Sequence, residues 1–280
     1  MHIAEMREKG TVFSTEFSGW EESLPPLLDG SGLAAVLARQ HTILIKPNLV
    51  EALAPPITTP APLIAELISW LRQRAGHCRI IIAEGCGSHE YDTGHVFAAL
   101  GYTRLAREKK VELIDLNQEK SVLLANPACR RFPEIYLPAL LFETFLLSVP
   151  VLKAHSLAGV TLTMKNMMGA APPEHYQQGG HWKKASFHHD IQQAIFDLNR
   201  YRTPDFTLLD ATVGMAQAHL WGPVCSPSVN LLCAGHDPVA IDACGCGLLG
   251  RDWRQIGHIR LADSVLGTAE FGEKRIRAAG

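Results

Sequence analysis

Lysine and histidine residues stand at the ends of long apolar runs in this sequence. Lys46 and Asn48 follow one such run, Lys153 and His155 follow another, and Lys165 lies in an otherwise apolar, glycine-flanked segment. Lysine is almost never buried without a partner. These positions therefore favour a site that binds an anion over a purely structural role.

The candidate ligand-binding residues lie where an apolar run ends or a helical pattern begins, because free backbone N–H groups at such places can also meet an anion. Thr59 is expected to cap the helix that follows it, with Pro60 at the first helical position. Asp237 precedes Pro238 and is expected to cap a helix before it binds any ligand. The candidate ligand-binding residues are Lys46, Asn48, Thr58, Thr59, Lys153, Lys165, Asn166 and Asp237.

The candidate catalytic residues are His155, Asp210 and Glu84. Histidine changes its charge near neutral pH, so His155 is the candidate general acid or base. Asp210 ends an apolar run and Glu84 precedes a glycine-rich turn, and either could orient the histidine ring. Two alternatives stay open for Glu84, which could be an ordinary acid at a strand end or the partner that orients Lys46.

A histidine-rich stretch offers a second kind of chemistry. Histidine and aspartate bind divalent metal ions, and the candidate metal ligands are His181, His188, His189 and Asp190. Their spacing matches no familiar ligand motif. A surface loop that contains histidines without a metal ion is the alternative.

The elements that must position these residues alternate between strand and helix. Short runs rich in Ile, Leu and Val, apolar on both faces, are typical of buried parallel strands, and helical periodicities lie between them. The sequence predicts an α/β fold with a mostly parallel sheet and helices on both faces. Residues 1–280 form either a single domain or two α/β lobes with a soft boundary near 117–138. The polar, glycine-rich residues 172–187 are expected to form a lid-like loop.

Composition excludes several classes of function. The net charge of −2, from 26 basic and 28 acidic residues, argues against nucleic-acid partners and against binding to an anionic membrane. The N-terminal residues lack the pattern of a signal peptide, and no apolar run is long enough for a membrane helix, so the expected location is the cytoplasm. Seven widely spaced cysteines predict neither a disulfide framework nor an iron–sulfur cluster motif.

Several motifs, in this order, resemble the domain-of-unknown-function family numbered 362, over about residues 43–266. They are Ile45-Lys46-Pro47-Asn48-Leu49-Val50, Thr58-Thr59-Pro60, Leu152-Lys153-Ala154-His155, Lys165-Asn166-Met167-Met168-Gly169, Asp210-Ala211-Thr212-Val213-Gly214-Met215 and Gly235-His236-Asp237-Pro238. The resemblance implies an α/β fold. Many members carry an attached ferredoxin-like module and an iron–sulfur label, which is not carried over because this sequence has no such cysteine run.

Two functions fit these observations. The leading hypothesis is an enzyme that acts on a small anionic metabolite, a carboxylate or a phosphate, at the ends of the strands. The alternative is a non-catalytic accessory protein that binds a metal or a cofactor for a separate redox partner protein. The cofactor itself is not identified by the sequence, and a divalent metal ion is compatible with either hypothesis.

Overall fold

A computed structural model describes residues 10–217 and 219–277. The N-terminal residues 1–9, on which the expectation about a signal peptide depends, lie outside this range. Among the helices of the described residues, none is long and apolar enough to cross a membrane.

The strands of the described chain are short and mostly buried. They are β1 (Thr11–Glu16), β2 (Thr42–Pro47), β3 (Arg79–Glu84), β4 (Glu112–Asp115), β5 (Ser121–Ala125), β6 (Glu134–Pro138), β7 (Phe145–Val149), β8 (Val151–His155), β9 (Gly159–Thr161), β10 (Phe206–Met215), β11 (Leu231–Gly235) and β12 (Gly272–Arg275).

The helices lie between these strands. They are α1 (Trp20–Gly30), α2 (Leu33–Leu37), α3 (Ala61–Arg74), α4 (Thr93–Ala99), α5 (Tyr102–Lys109), α6 (Thr163–Asn166), α7 (Pro173–Tyr176), α8 (Ile191–Tyr201), α9 (Pro238–Leu248) and α10 (Gly257–Ala262).

One ten-stranded sheet organises the molecule, in the order β12-β1-β11-β10-β7-β2-β3-β4, with β8 beside β10 and β9 beside β8. β11 runs antiparallel to β1 and β10, and β9 runs antiparallel to β8. The other pairings in this sheet are parallel. The carboxyl ends of β2, β3, β7, β8 and β10 therefore meet at one edge of the sheet, where open α/β sheets bind ligands.

Helices cover both faces of this sheet. Successive side chains of a strand point to opposite faces, and in β2 Leu44 packs into one hydrophobic core while Ile43 and Ile45 pack into the other. The first core also contains apolar residues of α8, α9 and α10, and the second contains those of α1, α3, α4 and α5. The predicted α/β fold with a mostly parallel sheet and helices on both faces is thus confirmed.

Two segments lie outside this regular pattern. The region near 117–138, considered as a boundary between lobes, contains the separate two-stranded sheet of β5 and β6, while β4 before it and β7 after it belong to the large sheet. The polar residues 172–187 contain α7 and continue into a 3-10 turn at Ala185–His188. Phe187 anchors this turn because its ring is fully buried, 4.8 Å from the ring of Phe132 between centroids.

Candidate functional site

A cavity of about 470 Å³ opens at the carboxyl edge of the sheet. Loop residues of the segment 172–187 and of the segment after β10 cover part of it. The sequence-predicted residues that line it are Asn48, Glu84, Lys153, His155, Lys165, Asn166 and His188. Residues far apart in the sequence are therefore brought to one place, as the parallel arrangement of their strands requires.

Lys46 lies beneath the cavity rather than in its wall. Its ammonium group donates to both carboxylate oxygens of Glu84, at 2.9 and 2.8 Å, and to Asn166 Oδ1 at 3.3 Å. Burial lowers the pKa of Lys46, and the Glu84 carboxylate opposes this shift. Of the two alternatives for Glu84, the structure supports the second, in which Glu84 is the partner that orients Lys46.

Gly169 and Gly85 make room for this buried pair. A Cβ atom on Gly169 would lie 2.0 Å from Glu84 Oε1 and 2.7 Å from Lys46 Nζ. A Cβ atom on Gly85 would lie 2.4 Å from the carbonyl oxygen of Gly169. Gly169 therefore requires a residue without a side chain because its backbone passes directly against the ion pair, and Gly85 does because its backbone passes against Asn117 and Gly169.

A chain of amides connects the buried pair to Lys153. Asn48 Nδ2 donates to Asn166 Oδ1 at 3.0 Å, and Lys153 Nζ donates to Asn48 Oδ1 at 3.0 Å and to the carbonyl oxygen of Ile57 at 2.6 Å. Both acceptors of Lys153 are neutral. Burial, followed by repulsion from Lys165, holds the pKa of Lys153 well below its usual range.

Lys165 has no hydrogen bond and no ion pair within the described chain, although it lines the cavity. Burial lowers its pKa to about 8. The short helix α6 carries this lysine. Asp242 fixes the start of α6, because its buried carboxylate accepts from the backbone N–H groups of Thr163 and Met164 at 2.7 and 3.1 Å. Sequence reasoning missed Asp242, which positions the lysine without contacting the cavity.

The tautomer of His155 is fixed by the backbone. Its Nδ1 accepts from the N–H groups of Leu157 and Ala158, each at 3.1 Å, so the neutral ring carries its proton on Nε2. Burial strongly lowers the pKa of His155, and the positive charge of Lys165 adds to that shift. The ring of His219 stacks on it with 4.1 Å between centroids. The prediction that Asp210 or Glu84 orients this ring is wrong, because backbone N–H groups do so.

The segment 172–187 contributes a lysine that sequence reasoning missed. Lys184 is buried, lines the cavity, and donates to Asn117 Oδ1 and the carbonyl oxygen of Ala171. Burial lowers its pKa to about 7. Trp182 lines the cavity beside it. Two residues of the segment thus line the cavity, and its role as a lid stays a prediction.

Thr161 is a third residue that the sequence analysis did not select. It lies on β9, opposite Lys153 of β8. Its side chain is buried and lines the cavity, yet its hydroxyl oxygen has no hydrogen-bond partner in the described chain. The signal that could have found it is its place in the Gly159-Val160-Thr161 run directly after Lys153 and His155.

Thr58 and Thr59 are placed away from the cavity lining. The hydroxyl of Thr58 donates to the carbonyl oxygen of Leu53 at 2.5 Å, and that of Thr59 donates to the carbonyl oxygen of Val149 at 2.7 Å. The N-cap of α3 is Pro60, with no side-chain capping bond. The prediction of Thr59 as N-cap is therefore wrong, because its hydroxyl is used to join two loops at the sheet edge.

Asp237 lies at the opposite edge of the sheet. β11 runs antiparallel to β10, so its carboxyl end points away from the cavity. The carboxylate caps α9 by accepting from the N–H groups of Val239 and Ala240, at 3.0 and 3.2 Å, and also accepts from the N–H of Thr268 at 3.0 Å. Its expected capping role is confirmed. The prediction that Asp237 binds the ligand is wrong, because β11 runs antiparallel to β10.

Asp210 lies inside β10 rather than at its end. Its carboxylate accepts from the hydroxyl and N–H groups of Thr212, at 2.7 and 3.0 Å. Burial raises its pKa. It does not belong to the cavity lining, so a direct catalytic role receives no geometric support.

The predicted metal ligands do not come together. His188 lines the cavity, whereas His181, His189 and Asp190 are exposed. Within the described residues, no three His, Cys, Asp or Glu side chains are grouped so that they could hold a metal ion. The 3-10 turn at Ala185–His188 and the left-handed backbone of Asp190 (φ 52°) separate these side chains.

Comparison with known proteins supports the fold and the family resemblance. A family model described as Domain of unknown function (DUF362) matches residues 43–247. Among solved structures, the lactate racemase apoprotein from Thermoanaerobacterium thermosaccharolyticum matches with a TM-score of 0.52 and 13% identity. The match covers 87% of this chain but only 57% of the racemase chain. No curated protein matches the sequence.

Proposed function

The chain belongs to the DUF362 family, and we propose that it is an enzyme acting on a small metabolite that carries two negative charges, as carboxylate or phosphate groups. The observation that carries this proposal is the convergence of three lysines that have no carboxylate partner among the described residues; Lys153 and Lys184 are buried and Lys165 is partly buried. Lys153, Lys165 and Lys184 all line one cavity, and burial lowers the pKa of each.

The charge balance of the cavity supports a dianion. Glu84 is the one acidic residue among the described lining residues, and Lys46 already neutralises it at 2.8 Å. Burying an ammonium group without a counter-charge costs free energy. A bound dianion would offset that cost for two of the three lysines, and the third would retain its charge or lose its proton.

The shape of the cavity adds a limit on size and polarity. A volume of about 470 Å³ lies within the range of small-molecule sites. Trp182, Leu220 and Trp221 form an apolar part of its lining, and Trp221 is exposed. The ligand would thus place its anionic groups against the lysines and any apolar part toward the tryptophans.

His155 is suited to donate a hydrogen bond rather than to carry a positive charge. Its Nδ1 is occupied by two backbone donors, and its pKa is strongly lowered. A neutral imidazole with its proton on Nε2 can stabilise negative charge that develops on a substrate oxygen. This role replaces the general acid or base expected from the sequence, for which a pKa near neutrality would serve best.

The fold comparison is compatible with this substrate class. One solved structure with a similar fold is, by its name, the apoprotein of a lactate racemase, and lactate is a small carboxylate. At 13% identity the similarity concerns the fold, so the proposal depends on the lysines of the cavity and not on the reaction of that protein.

Titration calorimetry with succinate and inorganic phosphate tests the binding part of the proposal. Lys153→Met removes one charge-assisted contact, each typically about 1.5–3 kcal/mol, so the affinity should fall roughly 10- to 100-fold. The matched control is Lys120→Met, because Lys120 is exposed. Equal affinity in both variants, or no binding of either anion to the unsubstituted protein, would contradict the proposal.

His155→Gln tests whether His155 contributes to binding of the anion. The variant should bind succinate or phosphate about as well as the unsubstituted protein, since the histidine carries no charge at neutral pH. An equal loss of binding in His155→Gln and Lys153→Met would favour the accessory protein instead. Elemental analysis of the purified protein addresses the same alternative, because one metal ion per chain would support a metal carrier.

A further inference from the structure

Lys165 differs from the other lysines of the site in the hydrogen bonds of its amine. Lys46, Lys153 and Lys184 each donate hydrogen bonds to the protein, whereas Lys165 makes none within the described residues while it lines the cavity. The side chain of Lys165 is partly buried, and even partial desolvation of an amine without an acceptor costs free energy. Such a group is retained where a ligand or a reaction uses it.

The surroundings of Lys165 favour a nucleophilic amine. The groups with which it interacts electrostatically include the ammonium of Lys153 and the imidazoles of His155, His188 and His219. None of these is a carboxylate that would hold the lysine in its charged form. A lysine that is desolvated and placed beside another cation is the arrangement that activates an amine toward carbonyl groups.

Two polar groups of the same cavity are placed for an oxygen atom of the ligand. The hydroxyl of Thr161 is buried and has no hydrogen-bond partner among the described residues, and the neutral ring of His155 offers an N–H at Nε2. Lys153 lies opposite Thr161 in the pairing of β8 with β9. A carbonyl oxygen and a carboxylate of one small molecule would find separate partners here.

We propose that the side-chain amine of Lys165 forms an imine with a 2-oxo carboxylate bound in this cavity. The inference rests on the proposed function for the binding of the carboxylate by Lys153 and Lys184. In the first step the C–N bond forms, the carbonyl π bond breaks, and one amine proton moves to the carbonyl oxygen. In the second step the C–O bond breaks, and the oxygen leaves as water with the second amine proton.

The protein's own groups would assist both steps. The Nε2–H of His155 and the hydroxyl of Thr161 stabilise the oxygen while it gains negative charge. The lowered pKa of Lys165, about 8, leaves about a tenth of the amine unprotonated at pH 7. Protonation of the imine nitrogen restores the positive charge beside the bound carboxylate.

Reductive trapping tests the inference with the full chain. The protein is incubated with 2-oxoglutarate, a 2-oxo carboxylate with two negative charges, and with sodium borohydride, and intact-mass measurement is followed by peptide mapping. The expected result is one reduced 2-oxoglutarate adduct per chain, located on Lys165. Lys165→Arg keeps the charge but cannot form the imine, so trapping should fall to background, whereas Lys120→Arg, a change at an exposed lysine, should trap as the unsubstituted protein does.

The outcomes separate this inference from the proposed function. Adduct spread over surface lysines, adduct on Lys153, or undiminished trapping in Lys165→Arg would overturn the imine. If 2-oxoglutarate and succinate both bind by calorimetry but no adduct forms, the imine is wrong and the proposed function stands. If neither binds and no adduct forms, both are wrong. The peptide map of the unsubstituted protein decides the matter even where a variant fails to fold.

Discussion

Separating the buried Lys46–Glu84 pair should destabilise the protein more than removing both charges. The pair has side-chain exposures of 0% and 3% and a shortest N–O distance of 2.8 Å. Lys46→Met would leave the carboxylate with the N–H groups of Gly85, at 2.9 Å, and Leu49, at 3.4 Å. Glu84→Gln would leave the ammonium with neutral acceptors alone.

The magnitude follows from the cost of an unpaired buried charge. Breaking such a pair by removing one member typically costs about 3–5 kcal/mol, while replacing both by neutral groups of similar size is often close to neutral. A domain is stable by only about 5–15 kcal/mol. Each single substitution should therefore lower the free energy of unfolding substantially, and the double variant of Lys46→Met with Glu84→Gln should be more stable than either single variant.

Urea unfolding of the four proteins, followed by fluorescence and circular dichroism, measures this cycle. The pH adds a second signature in Glu84→Gln. Without the carboxylate the folded-state pKa of Lys46, which burial already lowers, falls further below its unfolded value. The loss of unfolding free energy in Glu84→Gln should be largest at pH values below that folded-state pKa and should shrink as the pH rises above it.

Additive losses of unfolding free energy in the double variant would refute this reasoning. If the double variant loses the sum of the two single losses, the charges do not compensate each other. Single losses below about 1 kcal/mol, the range of exposed ion pairs, would show that water reaches the pair. Either result would remove the basis for placing Lys46 beneath the cavity as a neutralised, structural cation.

Three further outcomes are expected. The affinity for succinate should fall as the pH rises above about 7, because Lys184 and Lys165, with pKa values lowered to about 7 and about 8, then lose their charge; a flat calorimetric profile would contradict this. Gly169→Ala should destabilise by about 1–3 kcal/mol through overpacking, measured by urea unfolding, whereas Gly247→Ala, in α9 with nothing within 4 Å of its Cβ, should be neutral or stabilising. Asp237→Ala should cost about 1–2 kcal/mol of stability as a lost cap and leave succinate affinity unchanged; weaker binding would contradict its place at the far edge.

The rule that ligands meet the carboxyl ends of parallel strands predicted much of the site. Lys153 and His155 at the end of β8 line the cavity with Lys165, and Glu84 reaches it from β3. These positions are local consequences of a strand ending in a polar residue. The rule requires the direction of each strand, however, and the sequence does not show that β11 runs antiparallel. The rule therefore assigns Asp237 to the wrong edge of the sheet.

Other members of the site depend on contacts that no local pattern shows. Lys184 lies in a polar segment that resembles a solvated loop, and its burial follows from acceptors at Asn117 and Ala171. The histidines of the same segment suggested a metal site because their types fit. In the structure His188 lines the cavity while His181, His189 and Asp190 are exposed, which spacing along the chain does not reveal.

The hydrogen bonds under the cavity also bear on the order in which the protein can become functional. Asn48 bonds to Asn166 across 118 positions of the chain, and Lys153 bonds to Asn48 across 105. Contacts between such distant residues require the closure of a long loop, which costs conformational entropy and slows folding. A nascent chain that has not yet released residue 166 from the ribosome must hold Lys46 and Asn48 without this partner. The anion site therefore requires these distant segments to be folded together, and ligand binding reports on their joining rather than on any one of them.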